Sequence, residues 1–436
     1  MIYFLLPTLL ILLCFAYAIN KKDIGAPAVI FSASFSFCSI WALVYSKVWN
    51  LSLNLNTYLV IVFGVFDFII ITYLSNIFFN KIISNRYNNS KCVSYNRIVE
   101  NWKVILFIGI EIFSVLYTIK YLKQVTGNIF LSSAISQYRD SLILKGTAIR
   151  FSTILSFVRM IVNGSGYWFA YVISYDLIVN KKFNKFVLIA LILSVINTMI
   201  LGGRNEGINI ILCLVIDYYI LYKKYNKWEI KIKFKYFIIA IISGFICLLL
   251  FQKLGNILGR KSQTNLFYYI AVYCGSQIKN LDTFLNNIYN YKSNHIWGAQ
   301  SFVNLISWIM PKINSNFSAY QLDLPYQRVN GLNLGNVYTT FYPYIYDFGY
   351  IGVFTMTTLM AIISQFSYIY ANKVGYKNKP CISVIIYSYI FSNLLFSFFS
   401  NKFYEQLFTP YFLKLVVLWY VLNFIFYGVK IKLKKK

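Results

Sequence analysis

The residue pattern with the clearest chemical meaning is the sequence GGRNEG at 202–207. It separates two apolar runs, and its two glycines, Gly202 and Gly203, predict that the first helix ends in a left-handed cap. Arg204 and Glu206 then fall at the start of the next helix, where free backbone amides favour anions. A guanidinium held there suits a phosphate group. The alternative is that Arg204 and Glu206 are interfacial anchors that form a weak surface pair.

A second basic set precedes this link and extends into an apolar run, at Arg139, Lys145, Arg150 and Arg159. Arg159 follows Arg150 by nine residues, or about 13 Å of helix, which places it within the hydrocarbon or beside a wet cavity. Two acidic residues inside other apolar runs, Asp67 and Glu111, are candidate partners. Pairing with either would make Arg159 structural, whereas an unpaired Arg159 could bind an anionic substrate.

Aromatic and hydrogen-bonding residues are concentrated in 333–352, just before another apolar run. Tyr338 and Tyr342 could stack on sugar rings. Asn336, Thr339 and Asp347 could form hydrogen bonds with sugar hydroxyls. The alternative is an interfacial aromatic belt, which membrane proteins have in any case.

The polar segment 252–348 also contains Arg260, His295 and Arg328. Histidine is the natural general base near neutral pH, so His295, the only histidine, is a candidate base, although a lone histidine can also be incidental. The seven cysteines show no pairing pattern and no metal-ligand spacing. We therefore expect neither a metal nor a cofactor.

These residues belong to a chain whose composition indicates that most of its surface contacts lipid. Of its 436 residues, 58% are apolar and 12% are charged, which is about half the charge of a soluble protein. The net charge of +28 lies in short basic clusters between apolar runs. That arrangement is typical of the loops of an inner-membrane protein rather than of a nucleic-acid-binding stripe. No nucleic-acid partner is expected.

About eleven apolar runs are long enough to span a bilayer. They cover 2–19, 26–45, 57–79, 104–124, 151–179, 186–201, 207–222, 236–251, 349–371, 381–399 and 408–427. Runs such as 186–194 are apolar on every side, which predicts helices rather than membrane strands. The predicted fold is therefore an all-α polytopic integral membrane protein in which 1–436 form one domain.

The lysines and arginines collect in alternate connections, which the positive-inside rule places in the cytoplasm. This predicts a periplasmic N-terminus and a cytoplasmic C-terminus. The outward-facing connections then include 202–206, 401–407 and one large loop at 252–348. Apolar spacing within this loop predicts amphipathic helices, and Pro311 is expected to end the second of them.

Outward-facing arginines beside a large loop, with no nucleotide-binding motif, favour a reaction whose donor is already activated. A glycan on a lipid pyrophosphate is such a donor. Cations would stabilise the departing pyrophosphate, and a base would take the proton from the attacking hydroxyl.

The GGRNEG link, the long outer loop and the sequence NVYTTFYP at 336–343, followed by DFGYIG at 347–352, resemble the O-antigen polymerases, the Wzy-type oligosaccharide repeat unit polymerases. The resemblance implies a glycosyltransferase of the integral-membrane class C type (GT-C-like). Such an enzyme moves a growing polysaccharide from undecaprenyl pyrophosphate onto the non-reducing end of a lipid-linked repeat unit. It would lie in the bacterial inner membrane, with its active site facing the periplasm and a chain-length regulator as a partner.

The resemblance implies that Arg204 and Arg159 bind pyrophosphate and that Tyr338, Thr339 and Asp347 shape the loop or contact sugar. Together with the residue patterns, it gives a predicted catalytic set of Arg204, Glu206, His295 and Asp347. The predicted substrate-binding set is Arg139, Arg150, Arg159, Arg260, Arg328, Asn336, Tyr338, Thr339 and Tyr342.

Two other functions remain open from the sequence. An O-antigen ligase, which hands the same polymer to a lipid A core, would share the scaffold and the arginines. A flippase for the lipid-linked repeat is the non-enzymatic alternative, but it would more naturally have two similar halves and short outer loops.

Overall fold

The structure is a computed structural model. It describes residues 1–87, 98–143, 151–226, 265–287, 296–314, 317, 320–373 and 380–428. The apolar run 236–251 lies outside the described residues, as do Arg150, Arg260 and His295.

The described residues are mostly helical. The helices are α1 (Ile2–Ile19), α2 (Pro27–Val44), α3 (Leu55–Tyr87), α4 (Asn101–Thr126), α5 (Leu131–Ile143), α6 (Thr153–Tyr175), α7 (Lys185–Met199), α8 (Asn205–Tyr225), α9 (Leu266–Cys274), α10 (Ser276–Asn286), α11 (Val303–Ile313), α12 (Phe341–Lys373), α13 (Ile382–Leu395), α14 (Lys402–Leu407) and α15 (Pro410–Asn423). π-Helical turns follow α6 at Asp176–Asn180 and α15 at Phe424–Gly428, and a 3₁₀ turn follows α13 at Phe396–Phe398.

Among the described residues, seven helices are long and apolar enough to cross a membrane: α1 to α4, α8, α12, and α15 with its π turn. The apolar helices α7 and α13 are shorter. The chain is therefore an α-helical polytopic membrane protein, as the sequence indicates. The count of about eleven spans and the orientation of the chain stay predictions.

Contacts between residues divide the chain into two compact units, each built from separate stretches of sequence. Unit 1 contains Met1–Asn89, Phe267–Lys373 and Ile390–Leu413, and unit 2 contains Ser90–Leu266, Val374–Tyr389 and Lys414–Lys436. The prediction of one integral domain over 1–436 stays a prediction.

The core of unit 1 is formed by α2, α3 and α12, which meet through aromatic rings. Phe31 stacks on Phe68 at a centroid distance of 4.3 Å, and Phe35 stacks on Phe341 at 5.1 Å. Gly64 makes this approach possible, because a Cβ at that position would lie 2.5 Å from the Phe341 ring. The first residue of α12 is therefore anchored against the helical core.

Two local features of unit 1 refine the sequence predictions. α12 begins at Phe341 and is kinked at Gly349, whose φ of 66° is open to glycine but costly for other residues. Pro311 does not end α11 but lies within its last turn, and the helix continues to Ile313. A proline at this position removes one backbone hydrogen bond in the last turn of the helix. The helix therefore tolerates the proline.

A short antiparallel hairpin interrupts the helical pattern of unit 1. β1 (Gln327–Val329) pairs with β2 (Leu332–Gly335) through a turn at Asn330 and Gly331, both with positive φ. Asn-Gly is the preferred sequence for such a two-residue turn, because both positions tolerate a left-handed backbone. The hairpin leads directly into 336–340 and the start of α12.

Unit 2 packs α6 against α7 and α8, with α4 beside α7. Gly166 lies in the helix contact, where a Cβ would be 2.8 Å from Ile210 and 3.0 Å from Ser194. Small residues allow helices to approach closely in this way. The amphipathic α5 covers the ends of α4 and α7 through Ile135 and Tyr138. The α7–α8 link therefore lies against α5.

Candidate functional site

The α7–α8 link places Arg204 at the N-cap of α8, which begins at Asn205. Gly202 has a φ of 80°, and its amide donates to Met199 O at 2.9 Å, so the predicted left-handed release of α7 is confirmed. The Arg204 side chain is 3% exposed. This burial argues against an exposed interfacial anchor, and the anion-binding role of Arg204 stays a prediction.

Arg159, on α6, is 5% exposed and donates hydrogen bonds to neutral oxygen atoms on α4 and α7. Its Nη1 donates to Thr118 Oγ1 at 2.9 Å and to Asn197 Oδ1 at 3.3 Å. Its Nη2 donates to Asn197 O at 2.8 Å. Glu111, one of the two predicted partners, instead accepts from Ser194 Oγ at 2.8 Å. These hydrogen bonds hold the guanidinium in a fixed orientation.

A chain of hydrogen bonds joins Arg159 to the predicted catalytic Glu206. Asn197 Nδ2 donates to Asn163 Oδ1 at 2.6 Å, and Asn163 Nδ2 donates to Glu206 Oε2 at 3.2 Å. Ser114 Oγ also donates to Asn197 Oδ1, at 3.1 Å. Asn197 is thus the junction of a polar network that connects α4, α6, α7 and the first turn of α8.

Aromatic rings and α5 complete the surroundings of Arg159. Its Cζ lies 5.6 Å from the centre of the Phe151 ring, which in turn packs against Tyr138 and Tyr121. Burial raises the pKa of Tyr138, Tyr121 raises it further, and the charge of Arg159 opposes both effects. The positive charge of Arg159 therefore affects the pKa of a residue on α5.

Arg139, on α5, contacts the same link. A Cβ on Gly202 would lie 3.7 Å from Arg139 Cδ and 3.0 Å from Ile135. Arg139 Nη2 forms an ion pair with Asp140 Oδ1 at 3.1 Å, whereas its Nη1 is buried with no hydrogen-bond partner among the described residues. We call Arg139, Arg159, Arg204 and Glu206 the arginine cluster. Arg139, Arg204 and Glu206 lie at the α7–α8 link of unit 2, and the hydrogen bonds through Asn197 and Asn163 connect Arg159 to Glu206.

Unit 1 contains a separate candidate site, a small cavity with room for about one water molecule. Four of the predicted substrate-binding residues line it: Asn336, Tyr338, Thr339 and Tyr342. They lie between β2 and the first turn of α12. Thr339 Oγ1 accepts from the Phe341 amide at 3.3 Å and so fixes the start of that helix. We call this space the loop cavity.

The two predicted sugar-stacking tyrosines form a wall of the loop cavity. Tyr338 and Tyr342 stack on each other at 4.3 Å and are at most 1% exposed. Their hydroxyls donate to Pro325 O and Asp323 O, so both rings are fixed against the segment before β1. Each ring therefore covers one face of the other.

Asp347 holds the loop before α11. Its Oδ1 accepts from the Gln300 amide at 3.2 Å, and its Oδ2 accepts from the Ser301 amide at 2.6 Å. Burial and the negative charges of Asp347 and Asp323 raise the pKa of the neighbouring Tyr320. The two amide bonds favour a positioning role for Asp347 over the predicted catalytic one.

Several polar residues of the loop cavity have no counterpart in the sequence predictions. They are Gln300, Ser400, Asn401 and Glu405. Gln300 Oε1 and Ser400 Oγ are buried without a hydrogen-bond partner among the described residues, and Glu405 forms an ion pair with Lys402 at 2.6 Å. The 401–407 connection, which the sequence predicts to face outward, was the available signal, because it carries Lys402 and Glu405 between two apolar runs.

No protein-family model, curated protein or solved structure matches this chain. The functional argument therefore depends on the two sites themselves.

The remaining described candidate is Arg328, in unit 1. It is exposed on β1, with its Cζ 5.9 Å from the centre of the Tyr326 ring. It does not line the loop cavity. Among the described residues, no group of histidine, cysteine and acidic side chains could hold a metal ion.

Proposed function

We propose that this protein is a membrane glycosyltransferase that uses a lipid-pyrophosphate-linked glycan as its donor. The observation that carries the proposal is the arginine cluster. Two of its guanidinium groups, on Arg159 and Arg204, are at least 95% buried, and the hydrogen-bond acceptors found for Arg159 are neutral. Burying cationic side chains in a membrane protein is costly, so such groups usually mark a substrate or ion site.

The chemistry of the cluster suits a pyrophosphate. A guanidinium can donate two parallel hydrogen bonds to phosphate oxygens. The buried Nη1 of Arg139 supplies a donor with no partner among the described residues. The N-terminus of α8, where Arg204 lies, adds backbone amides and the positive end of the helix dipole.

Arginines placed in this way would act mainly on the leaving group. Breaking the bond between the sugar and the pyrophosphate transfers negative charge onto the departing phosphate oxygen. Fixed cations stabilise that developing charge without reorganising during the reaction. The network through Asn197 and Asn163 keeps Arg159 and Glu206 in fixed orientations, which is how such pre-organisation is achieved.

The full proposal is a polysaccharide polymerase of the Wzy type. The chain would cross the bacterial inner membrane about eleven times, with the α7–α8 link and the loop 252–348 on the periplasmic side. It would transfer a growing polymer from undecaprenyl pyrophosphate to the non-reducing end of a lipid-linked repeat unit. The candidate general base in this proposal is His295, which lies outside the described residues.

The proposal is tested with purified full-length protein and a defined undecaprenyl-pyrophosphate-linked repeat. We expect a ladder of longer lipid-linked glycans and release of undecaprenyl pyrophosphate. Gene deletion separates the alternatives: a polymerase deletion leaves surface glycolipid with one repeat, a ligase deletion leaves polymer on the carrier lipid, and a flippase deletion exports no repeat. Failure to extend the repeat together with loss of export would contradict the proposal.

A further inference from the structure

The helix α11 has two sides of different chemistry. With about 3.6 residues per turn, one side carries only apolar residues, which are Leu305, Ile306, Ile309, Met310 and Ile313. The opposite side carries Asn304 and Ser307. Of the residues of α11, only Val303 is buried, and Ile313 is 75% exposed. The apolar side of α11 is therefore not part of the core of unit 1.

The start of α11 is fixed beside the kink of α12. The carboxylate of Asp347 accepts hydrogen bonds from the amides of Gln300 and Ser301, directly before α11, at 3.2 and 2.6 Å. Asp347 lies two residues before Gly349, at which α12 is kinked. The position of α11 along α12 is therefore set by these two hydrogen bonds.

The surroundings of α12 change at the same kink. Residues 341–348 are buried or half-buried in unit 1. From Gly349 onwards, large apolar side chains are exposed, and Ile351 is 74% exposed. In a helix that is long and apolar enough to cross a membrane, exposed apolar side chains contact lipid. The kink is therefore the expected level of the membrane surface on α12.

A second contact attaches α11 beside the start of α15. Phe302, the N-cap residue of α11, packs against Tyr404 and Phe408 at centroid distances of 5.1 and 5.4 Å. Asn304 Nδ2 donates to Glu405 O at 2.7 Å. The helix α15 begins two residues after Phe408 and, with its π turn, is another candidate span. Two independent contacts thus place α11 where a candidate span meets the rest of unit 1.

The segment also carries residue types that are typical of a membrane surface. Lys312 Nζ lies 3.4 Å from the centre of the Trp308 ring, and both side chains are exposed. Trp297 is 78% exposed and packs against Phe348, beside the kink, at a centroid distance of 4.8 Å. Tryptophan is enriched at the level of the lipid head groups, and lysine can extend its ammonium group from an apolar surface into water.

We infer that α11 lies in the surface layer of the bilayer, at the end of α12 that begins at Phe341. Its apolar side, which includes Ile309, enters the boundary between head groups and acyl chains, and Ser307 is on the side that faces water. Bilayer lipid is the partner because α11 continues the exposed apolar surface that α12 presents from Ile351 onwards. This inference does not depend on the proposed function.

The test measures quenching of tryptophan fluorescence in the full-length protein in lipid nanodiscs. The nanodiscs contain ordinary lipid, lipid brominated near the head group, or lipid brominated near the end of the acyl chains. Because the chain has eight tryptophans, the Trp308 signal is the difference between the wild type and Trp308→Phe. We expect the largest loss of this signal in the lipid brominated near the head group.

Ile309→Asp tests the apolar side of α11, and Ser307→Asp is the matched control, because it adds the same charge on the opposite side of the same helix. A charge is costly in apolar surroundings. Ile309→Asp should therefore reduce the quenching of Trp308 by brominated lipid and shift its emission to longer wavelength, whereas Ser307→Asp should behave like the wild type. Each variant is compared with its own Trp308→Phe version, and thermal melting checks its fold.

The wild-type measurement decides the inference even if Ile309→Asp does not fold. Quenching by acrylamide but not by brominated lipid would show that α11 faces water. A signal that neither quencher reaches would show that protein, such as a second copy of the chain, covers it. Strongest quenching by the deeply brominated lipid would place α11 in the hydrocarbon core. Each of these results overturns the inference, as does equal quenching in folded Ile309→Asp and Ser307→Asp proteins.

Discussion

Arg159 donates hydrogen bonds to both the side-chain and the backbone oxygen of Asn197, at 3.3 and 2.8 Å. A second bond from Asn197 to Asn163 leads on to Glu206. One asparagine in the last turn of the apolar helix α7 therefore orients a buried cation and connects it to the first turn of α8. The proposed pyrophosphate site depends on this arrangement more than on any single charge.

Replacing Asn197 with alanine should weaken the donor site without removing a charge. The variant loses the acceptor of Arg159 Nη1 and the donor to Asn163, and a hydrogen bond to a charged group contributes about 1.5 to 3 kcal/mol. We expect the rate of glycan transfer to fall about 10- to 100-fold. The rate is measured with purified protein and a lipid-linked repeat.

Ser174→Ala is the matched control, since Ser174 is a buried polar residue of α6 that donates to Ala170 O and Leu214 O, outside the network. Its transfer rate should match the wild type. Equal rates in the Asn197 and Ser174 variants would show that the network does not matter for the reaction.

A lysine at position 159 should preserve the positive charge but lower the rate of glycan transfer. Arg159 donates from two different nitrogens to acceptors on α4 and α7, and a single ammonium cannot reproduce that planar geometry. We expect Arg159→Lys to retain measurable transfer and Arg159→Met to have none. The measurement is the initial rate of glycan transfer by each variant, with a defined lipid-linked repeat as the substrate. A wild-type rate in Arg159→Met would exclude Arg159 from substrate binding.

The two glycines of the α7–α8 link should respond differently to alanine. Gly202 has a φ of 80°, and a Cβ there would lie 3.0 Å from Ile135, whereas a Cβ on Gly203 would meet no atom within 4 Å. A left-handed alanine costs about 1 to 2 kcal/mol. Gly202→Ala should therefore lower both the melting temperature and the transfer rate, and Gly203→Ala should change neither. Equal effects of the two substitutions on the melting temperature and the transfer rate would contradict the backbone conformation described for the α7–α8 link.

The stability of the protein should depend on how many hydrogen-bond acceptor oxygens the residue at position 347 provides. Alanine leaves the buried amides of Gln300 and Ser301 without a partner, at a cost of about 1 to 3 kcal/mol for each. Asparagine keeps one acceptor oxygen. We expect the melting temperature to fall in the order wild type, Asp347→Asn, Asp347→Ala. A stable but inactive Asp347→Ala protein would instead support the catalytic role predicted from sequence.

Sequence reasoning was most accurate where a local pattern determines the backbone. α1 runs over Ile2–Ile19, as its apolar run predicts, and the left-handed Gly202 follows from the Gly-Gly pair. The Asn330-Gly331 turn had an equally local signal, although the all-helical prediction did not use it. Such features need no knowledge of the tertiary contacts.

The contacts between helices could not be predicted in the same way. Asn163 and Asn197 are ordinary polar residues in apolar runs until the packing of α6 against α7 brings them within 2.6 Å. Glu405 and Gln300 are separated by about a hundred residues and line one cavity. The rotation and register of each helix decide which polar residues of two neighbouring spans contact each other. The composition of the sequence specifies neither the rotation nor the register.

The most direct test of the account is the length of polysaccharide made by Arg204→Ala in a host that lacks the wild-type gene. Arg328→Ala is the matched control, because Arg328 is an exposed arginine outside the arginine cluster. With equal amounts of both proteins in the membrane, Arg204→Ala should give surface glycolipid with single repeats, and Arg328→Ala should give chains of normal length. Chains of normal length from Arg204→Ala would contradict the claim that buried arginines at the α7–α8 link bind the leaving pyrophosphate.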